Sequence, residues 1–127
     1  MRKTMTQTIF LFACFSSHWA MAETGDQVQQ VLYQCERNVS LPVTYLSTAN
    51  GGAYAVLQVD GQQIAMRNTV SASGARYQSI DETRGYSWHS KGDGGILSWQ
   101  PVNQPDKNRI VLAECASAEA MFAKNTD

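Results

Sequence analysis

The sequence has few residues of the kinds that hold metal ions. It contains two histidines, His18 and His89, and three cysteines, no two of which form a Cys-x-x-Cys pair. Structural zinc sites are built from clusters of such thiolate and imidazole ligands at short spacing. We therefore expect no metal site, and no motif in the chain indicates a cofactor.

The sequence also lacks an apolar run long enough to span a membrane. Its apolar stretch Thr8–Phe15 follows a positively charged start and is far shorter than the roughly 20 residues of a transmembrane helix. Such a start, followed by the small residues of Ala20-Met21-Ala22, is typical of a secretory signal peptide. We predict a signal peptide over residues 1–22 and a periplasmic domain over residues 23–127.

A second export signal is a competing interpretation. Leu11-Phe12-Ala13-Cys14 resembles a lipoprotein box. Phe12 is bulky where such boxes carry a small or β-branched residue, and a cut at Cys14 leaves an unusually short apolar region. We favour cleavage after Ala22. Attachment to a membrane is expected only if Cys14 is lipidated.

The sequence has no excess of basic over acidic residues. Once the signal peptide has removed Arg2 and Lys3, eight basic residues stand against 11 acidic ones, so residues 23–127 carry a formal charge of −3. Nucleic-acid-binding domains usually show the opposite sign. We expect no nucleic-acid partner, whereas a mildly acidic exported domain is free to meet basic partners.

Cysteine is scarce in the exported part of the chain. Cys14 leaves with the signal peptide, and Cys35 and Cys115 remain near opposite ends of the domain. Two cysteines in an exported domain usually form a disulfide. We expect that bond, with two buried free thiols as the alternative.

Eight short segments with the alternation of β-strands make up the rest of the chain. Helical stretches, internal repeats and linkers are absent between them, and the length suits one domain. The predicted strands are Val31–Glu36, Leu41–Ser47, Ala53–Val59, Gln62–Val70, Ala75–Ser79, Gly85–Ser90, Gly94–Gln100 and Arg109–Cys115. They predict an all-β fold, a small antiparallel β-barrel with its core over about residues 31–115. Residues 23–30 are expected to be a loose tail, and residues 116–127 a short helix or disordered.

Two glycine-containing turns bring polar side chains toward one rim of the predicted sheet. Ser73-Gly74 precedes the fifth predicted strand, and Lys91-Gly92 follows the sixth. Antiparallel pairing of these two strands places Ser73 and Lys91 on the same side. A hydroxyl and an ammonium on facing turns are suited to an active site or to a binding tip.

Three functions are compatible with this tip. A Ser-Lys catalytic dyad needs a lysine that loses its proton, but Asp93 favours a charged Lys91. Neither Ser-x-x-Lys nor Gly-x-Ser-x-Gly surrounds Ser73, so we expect no enzyme and no catalytic residue. A periplasmic barrel that binds a small apolar ligand is the second candidate. In the third, the tip enters the cleft of a partner protein.

The residues of the tip carry a family resemblance. The segments Ser-Ala-Ser-Gly-Ala-Arg-Tyr at 71–77 and Trp-His-Ser-Lys-Gly-Asp at 88–93 resemble the two signature motifs of bacterial inhibitors of c-type lysozyme, the MliC/PliC family. Tyr33-Gln34-Cys35 and the closing segment at 111–115 support the resemblance, which covers essentially the whole exported domain. It implies an eight-stranded antiparallel barrel with a disulfide.

The resemblance also implies a binding site for c-type lysozyme. By analogy with the family, Ser73 and Lys91 enter the lysozyme cleft. The accompanying motif residues expected at this surface are Gly74, Tyr77, Gly92 and Asp93.

Other residues near the motifs bear on specificity and location. Asp81 and Glu82 are expected near the rim, where they would attract a basic lysozyme. His89 departs from the family pattern. The chain resembles the periplasmic branch more than the membrane-bound one, and the sequence leaves open whether it forms a homodimer.

Overall fold

The computed structural model describes residues 25–124. These residues form eight β-strands, three single 3₁₀ turns and one short helix. The strands are β1 (Gln27–Gln34), β2 (Ser40–Ser47), β3 (Ala53–Val59), β4 (Gln62–Thr69), β5 (Ala75–Ser79), β6 (Tyr86–Lys91), β7 (Gly94–Trp99) and β8 (Arg109–Ser117). The 3₁₀ turns are Glu36–Asn38, Glu82–Arg84 and Pro105–Lys107, and the helix is α1 (Ala118–Lys124).

The strands form a closed antiparallel barrel in which each strand pairs with the next and β8 pairs with β1. This confirms the predicted fold. Successive connections alternate between the two ends of such a meander. We call upper the end that carries the β2–β3, β4–β5 and β6–β7 turns and the start of α1. The lower end carries the three 3₁₀ turns and the β3–β4 turn.

The sequence forms these strands because apolar residues alternate and glycines allow tight turns. In β3, Ala55, Leu57 and Val59 face inward and are buried. The β3–β4 turn has positive φ at both Asp60 and Gly61, the backbone conformation for which Asp-Gly is a strong hairpin signal. The largest fully buried side chains are Trp88, Leu41, Leu57, Ile64, Met66, Leu97 and Val43.

Strand β1 differs most from its prediction. It begins at Gln27, inside the segment expected to be a loose tail, and residues 27–30 pair with residues 44–47 of β2. Three of these residues are glutamines and the fourth, Val28, is 63% exposed. The segment therefore has no buried apolar face, and its pairing with β2 fixes it as a strand. At its other end β1 stops at Gln34, because Arg37 and Asn38 adopt positive φ and turn the chain toward β2.

The seam between β1 and β8 is short. Only two residue pairs join the strands, Tyr33 with Ser117 and Gln34 with Ala116. The Cys35–Cys115 disulfide lies directly beside these pairs, which confirms the predicted bond. Toward the lower end, side chains that follow β1 take the place of a strand partner for β8. The Ala113 N–H donates to Glu36 Oε1 at 3.0 Å, and Arg37 Nη2 donates to the Val111 carbonyl at 3.0 Å.

No helix in the described part of the chain is long and apolar enough to cross a membrane. The predicted signal peptide over residues 1–22 and the alternative lipidation site at Cys14 lie outside the described residues.

Candidate functional site

Two turns at the upper end of the barrel carry the residues of the predicted tip. Ser73 and Gly74 lie in the β4–β5 turn, and Ser73 is exposed. Lys91 is the last residue of β6 and is also exposed, and it pairs with Gly94 across the two-residue turn Gly92-Asp93. Both turns therefore present a polar side chain to solvent at one end of the molecule.

The two turns are in direct contact. A Cβ atom placed on Gly74 would collide with the Ser90 carbonyl oxygen and lie 3.1 Å from Lys91 Cβ. Gly74 also has a φ of +66°, a conformation that residues with a side chain rarely adopt. The β4–β5 turn thus lies against the end of β6, and this confirms that Ser73 and Lys91 share one rim.

Hydrogen bonds fix the shape of both turns. The Ser73 carbonyl accepts from Ser71 Oγ at 2.7 Å and is 2.9 Å from His89 Nε2. The Asp93 carbonyl accepts from the Ser117 N–H at 2.8 Å, which ties the β6–β7 turn to the end of β8. The tip is therefore a structured surface before any partner arrives.

Tyr77 is placed differently from the other motif residues. It faces the barrel interior and is only 8% exposed. Its ring contacts the ring of Tyr45 with centroids 5.6 Å apart, and burial raises the pKa of the Tyr77 phenol. Tyr77 and Tyr45 lie on the wall of a recess of about 380 Å³ at the upper end, together with Ser90, Gly92 and Asp93. Tyr77 supports the rim from below.

Hydrogen-bonded aromatic side chains form the floor under the tip. The hydroxyls of Tyr33 and Tyr45 lie 2.9 Å apart, and Trp88 Nε1 donates to Tyr45 Oη at 2.8 Å. Burial, followed by the hydrogen bond with Tyr45, raises the pKa of Tyr33 well above its usual range. Trp88 is 0% exposed and occupies the barrel interior. A filled interior of this kind offers no support for the small-ligand barrel.

Asp81 and Glu82 are not near this rim, contrary to the prediction. They lie in the β5–β6 connection, and the alternation of a meander places that connection at the lower end. Asp81 instead accepts hydrogen bonds from the hydroxyl and the N–H of Thr83, which lower the pKa of its carboxyl group. Its observed contacts are local ones within the connection.

Three residues that hold the turns were not singled out as site residues from the sequence. They are Ser71, His89 and Ser117. A period of two along β6 was the available signal for His89, because it puts His89 and Lys91 on the same face of the strand. The contacts of Ser71 and Ser117 depend on turn conformation and strand register, which the sequence does not display.

Within residues 25–124, no group of three or more His, Cys, Asp or Glu side chains is arranged to hold a metal ion. The exposed groups at the tip are a hydroxyl, an ammonium and the Asp93 carboxylate. Such groups can donate and accept hydrogen bonds and form ion pairs with a partner.

Comparison with known proteins identifies the family. Residues 33–105 match the family model described as "Membrane-bound lysozyme-inhibitor of c-type lysozyme". The chain belongs to this family. It is also 36% identical over 110 residues to a membrane-bound lysozyme inhibitor of C-type lysozyme from Cupriavidus necator, an alignment that covers 83% of this chain and 82% of the relative. This is a family of inhibitors rather than enzymes, and the Ser-Lys dyad is therefore rejected.

Two solved structures of lysozyme inhibitors share the barrel. The periplasmic inhibitor PliC-St of Salmonella typhimurium superposes with a TM-score of 0.63 at 27% identity, covering 72% of this chain and 99% of that one. Pseudomonas aeruginosa MliC, solved in complex with hen egg white lysozyme, gives a TM-score of 0.56 at 21% identity, covering 91% and 99%. Both the periplasmic and the membrane-bound branch are thus represented among the structural neighbours.

Proposed function

We propose that this protein inhibits c-type lysozyme by inserting Ser73 and Lys91 into the active-site cleft, and so protects bacterial peptidoglycan. The observation that carries the proposal is the contact between the β4–β5 turn and the end of β6. It joins the two exposed motif residues into one projecting tip. Membership of the inhibitor family supports the choice of partner.

The chemistry of the tip matches that of a lysozyme active site. Lysozyme carries two catalytic carboxyl groups, one held protonated in an apolar pocket and one ionised. The Lys91 ammonium can pair with the ionised carboxylate, and the Ser73 hydroxyl can form a hydrogen bond with either group. Both contacts become stronger where binding excludes water from the cleft.

A preformed tip reduces the cost of binding. The hydrogen bonds to the Ser73 and Asp93 carbonyls already fix both turns in the free protein. Less conformational entropy is therefore lost when the complex forms. In this proposal Gly74 and Gly92 allow the close turns, Asp93 lies at the contact rim, and Tyr77 supports it from the interior.

We further propose that the inhibitor acts in the periplasm after cleavage before Glu23. Lipidation at Cys14 is the alternative, and relatives of both kinds exist by name. The mass of the protein purified from its host separates the two. A mature chain that starts at Glu23 supports the soluble form, and an acylated Cys14 refutes it.

Lys91 provides the sharpest test of insertion. Lys91→Ala removes one partner of a charge pair that is desolvated in the complex, which typically costs about 2–5 kcal/mol, mostly through faster dissociation. Lys107→Ala is the matched control, because Lys107 lies in a 3₁₀ turn at the lower end. Surface plasmon resonance with a c-type lysozyme gives both off-rates. If a folded Lys91→Ala variant dissociates as slowly as wild type, the tip does not enter the cleft.

Ser73→Ala tests the second contact. We expect a loss of about 1–3 kcal/mol of binding free energy, because a buried hydrogen-bonding group in the cleft loses its partner. Ser40→Ala, which alters an exposed hydroxyl at the start of β2, is the control. A cell-wall clearing assay should show stoichiometric inhibition by wild type and no cell-wall cleavage by the inhibitor alone.

A further inference from the structure

We propose that His89 is a positioning residue that fixes the turn carrying Ser73 onto the strand carrying Lys91. The proposal rests on the proposed lysozyme inhibition and assigns a role to a residue that departs from the family pattern. Its basis is the 2.9 Å contact between His89 Nε2 and the Ser73 carbonyl oxygen. The two residues are 16 positions apart in the sequence.

The direction of this hydrogen bond follows from its chemistry. A carbonyl oxygen only accepts, so Nε2 of His89 must carry the hydrogen. Both the imidazolium and one neutral tautomer satisfy this condition. The contact is therefore a hydrogen bond donated by His89 in the imidazolium and in the neutral tautomer that carries its hydrogen on Nε2.

His89 is suited to this task by its place in β6. It lies two residues before Lys91, so the two side chains emerge on the same face of the strand. A hydrogen bond from this position ties the β4–β5 turn to the strand that ends in Lys91. The other donor to the Ser73 carbonyl, Ser71 Oγ, belongs to the same turn and shapes it without attaching it to β6.

The surroundings of the ring offer no competing anion. Across β5, His89 pairs with Arg76, and across β7 it pairs with Ile96. The charged neighbour along its own strand is Lys91. None of the ion pairs among the described residues includes His89. The Ser73 carbonyl is thus the acceptor that orients the ring in the free protein.

The β4–β5 turn packs closely on the His89 ring, so loss of this hydrogen bond is expected to affect the turn. A Cβ atom on Gly74 would lie 3.3 Å from His89 Nε2, which shows how closely the turn passes over the ring. When the bond is lost, the turn keeps its local Ser71 contact and its packing at Gly74 but loses its side-chain hydrogen bond to β6. Ser73 would then sample positions away from Lys91. Binding would have to order Ser73 again, and the lost conformational entropy would weaken the complex.

Two substitutions separate positioning from charge and from bulk. His89→Gln keeps a neutral side-chain N–H donor, and His89→Leu keeps apolar volume without a donor. Arg76→Gln is the matched control, because it removes the neighbouring cation and leaves the His89–Ser73 contact in place. Backbone NMR order parameters of residues 72–74 in the free protein and the dissociation constant for a c-type lysozyme are measured for all three.

We expect His89→Leu to lower the order parameters of the turn and to raise the dissociation constant about three- to tenfold, as for the loss of one hydrogen bond. His89→Gln should keep the order parameters near those of wild type and the dissociation constant within about twofold of it, and Arg76→Gln should leave the order parameters of the turn unchanged.

Two results would overturn the proposal. One is that residues 72–74 of His89→Leu keep the wild-type order parameters. The other is a His89→Gln variant that behaves like His89→Leu, which would show that ring charge or shape matters rather than the donated hydrogen. Because the order parameters are measured without lysozyme, they test the role of His89 even if the Lys91 experiment refutes cleft insertion.

Discussion

At the scale of single residues, the buried phenol of Tyr33 under the tip bears on how the protein responds to alkali. The phenol of Tyr33 is almost fully covered and hydrogen-bonded to Tyr45. Its folded-state pKa is raised above the value of about 10 for an exposed tyrosine. As the pH rises past about 10, the unfolded chain therefore releases this proton while the folded chain retains it.

We predict that the free energy of unfolding falls as the pH rises above about 10 and that Tyr33→Phe makes this fall less steep. At neutral pH the same substitution should cost about 0.5–1.5 kcal/mol, because it removes one hydrogen bond. Urea unfolding from pH 8 to pH 11, followed by fluorescence, measures both effects. Equal slopes for wild type and variant would show that Tyr33 does not cause the alkaline loss.

The sequence predicts the positions of site residues that belong to a motif. It does not predict contacts that depend on the three-dimensional path of the turns. Ser73 and Lys91 were placed on one rim from turn signals and antiparallel pairing, and the structure confirms that placement. The burial of Tyr77 was not foreseen, although the alternation of β5 puts it on the face opposite Arg76. The bond between His89 and Ser73 depends on how the β4–β5 turn folds back, which no sequence pattern reports.

At the scale of elements, the β6–β7 hairpin depends on a glycine in its interior. Gly95 pairs with Ser90, and a Cβ atom at position 95 would collide with the ring of Trp88. The indole thus occupies the space that a side chain would need. Since Trp88 also donates to Tyr45, displacing the ring would disturb the floor of the tip.

We predict that Gly95→Ala destabilises the protein by about 1–3 kcal/mol, the usual range for overpacking a core. Gly25→Ala is the control, because no atom lies within 4 Å of the added methyl group. Thermal unfolding by circular dichroism compares the two variants. A Gly95→Ala protein as stable as the control would mean that Trp88 can move at little cost.

Strand boundaries show what local patterns can and cannot predict. The bounds of β3 and β5 match the prediction, because each is an alternating segment between clear turn signals. The early start of β1 was missed, since three glutamines and one exposed valine, Val28, give no apolar period and are ordered by β2. Strand β8 likewise runs two residues past Cys115, to the Ser117 that pairs with Tyr33.

At the scale of the whole molecule, the seam between β1 and β8 determines whether the barrel is closed. Two residue pairs, one disulfide and the side chains of Glu36 and Arg37 hold it together. The other seven strand pairs have longer ladders, with four or more residue pairs each. The disulfide therefore reinforces the seam with the fewest strand contacts.

We predict that replacing both Cys35 and Cys115 with Ser lowers the free energy of unfolding by about 2–5 kcal/mol. Adding a reductant should weaken wild type by a similar amount and leave the double variant unchanged, which serves as the control. Denaturant unfolding with and without reductant provides the measurement. If the reductant does not change the free energy of unfolding of wild type, the seam is stable without its disulfide.

The strand order of the barrel also bears on the sequence in which the strands pair during folding. Seven pairings join strands that are consecutive in the chain, so they can form one hairpin after another with short loops. The eighth brings together residues about 80 positions apart and carries the largest loop-closure cost. We therefore expect closure to be the last event of folding, with free edges on both outer strands until then. Oxidation of Cys35 and Cys115 makes that final step hard to reverse.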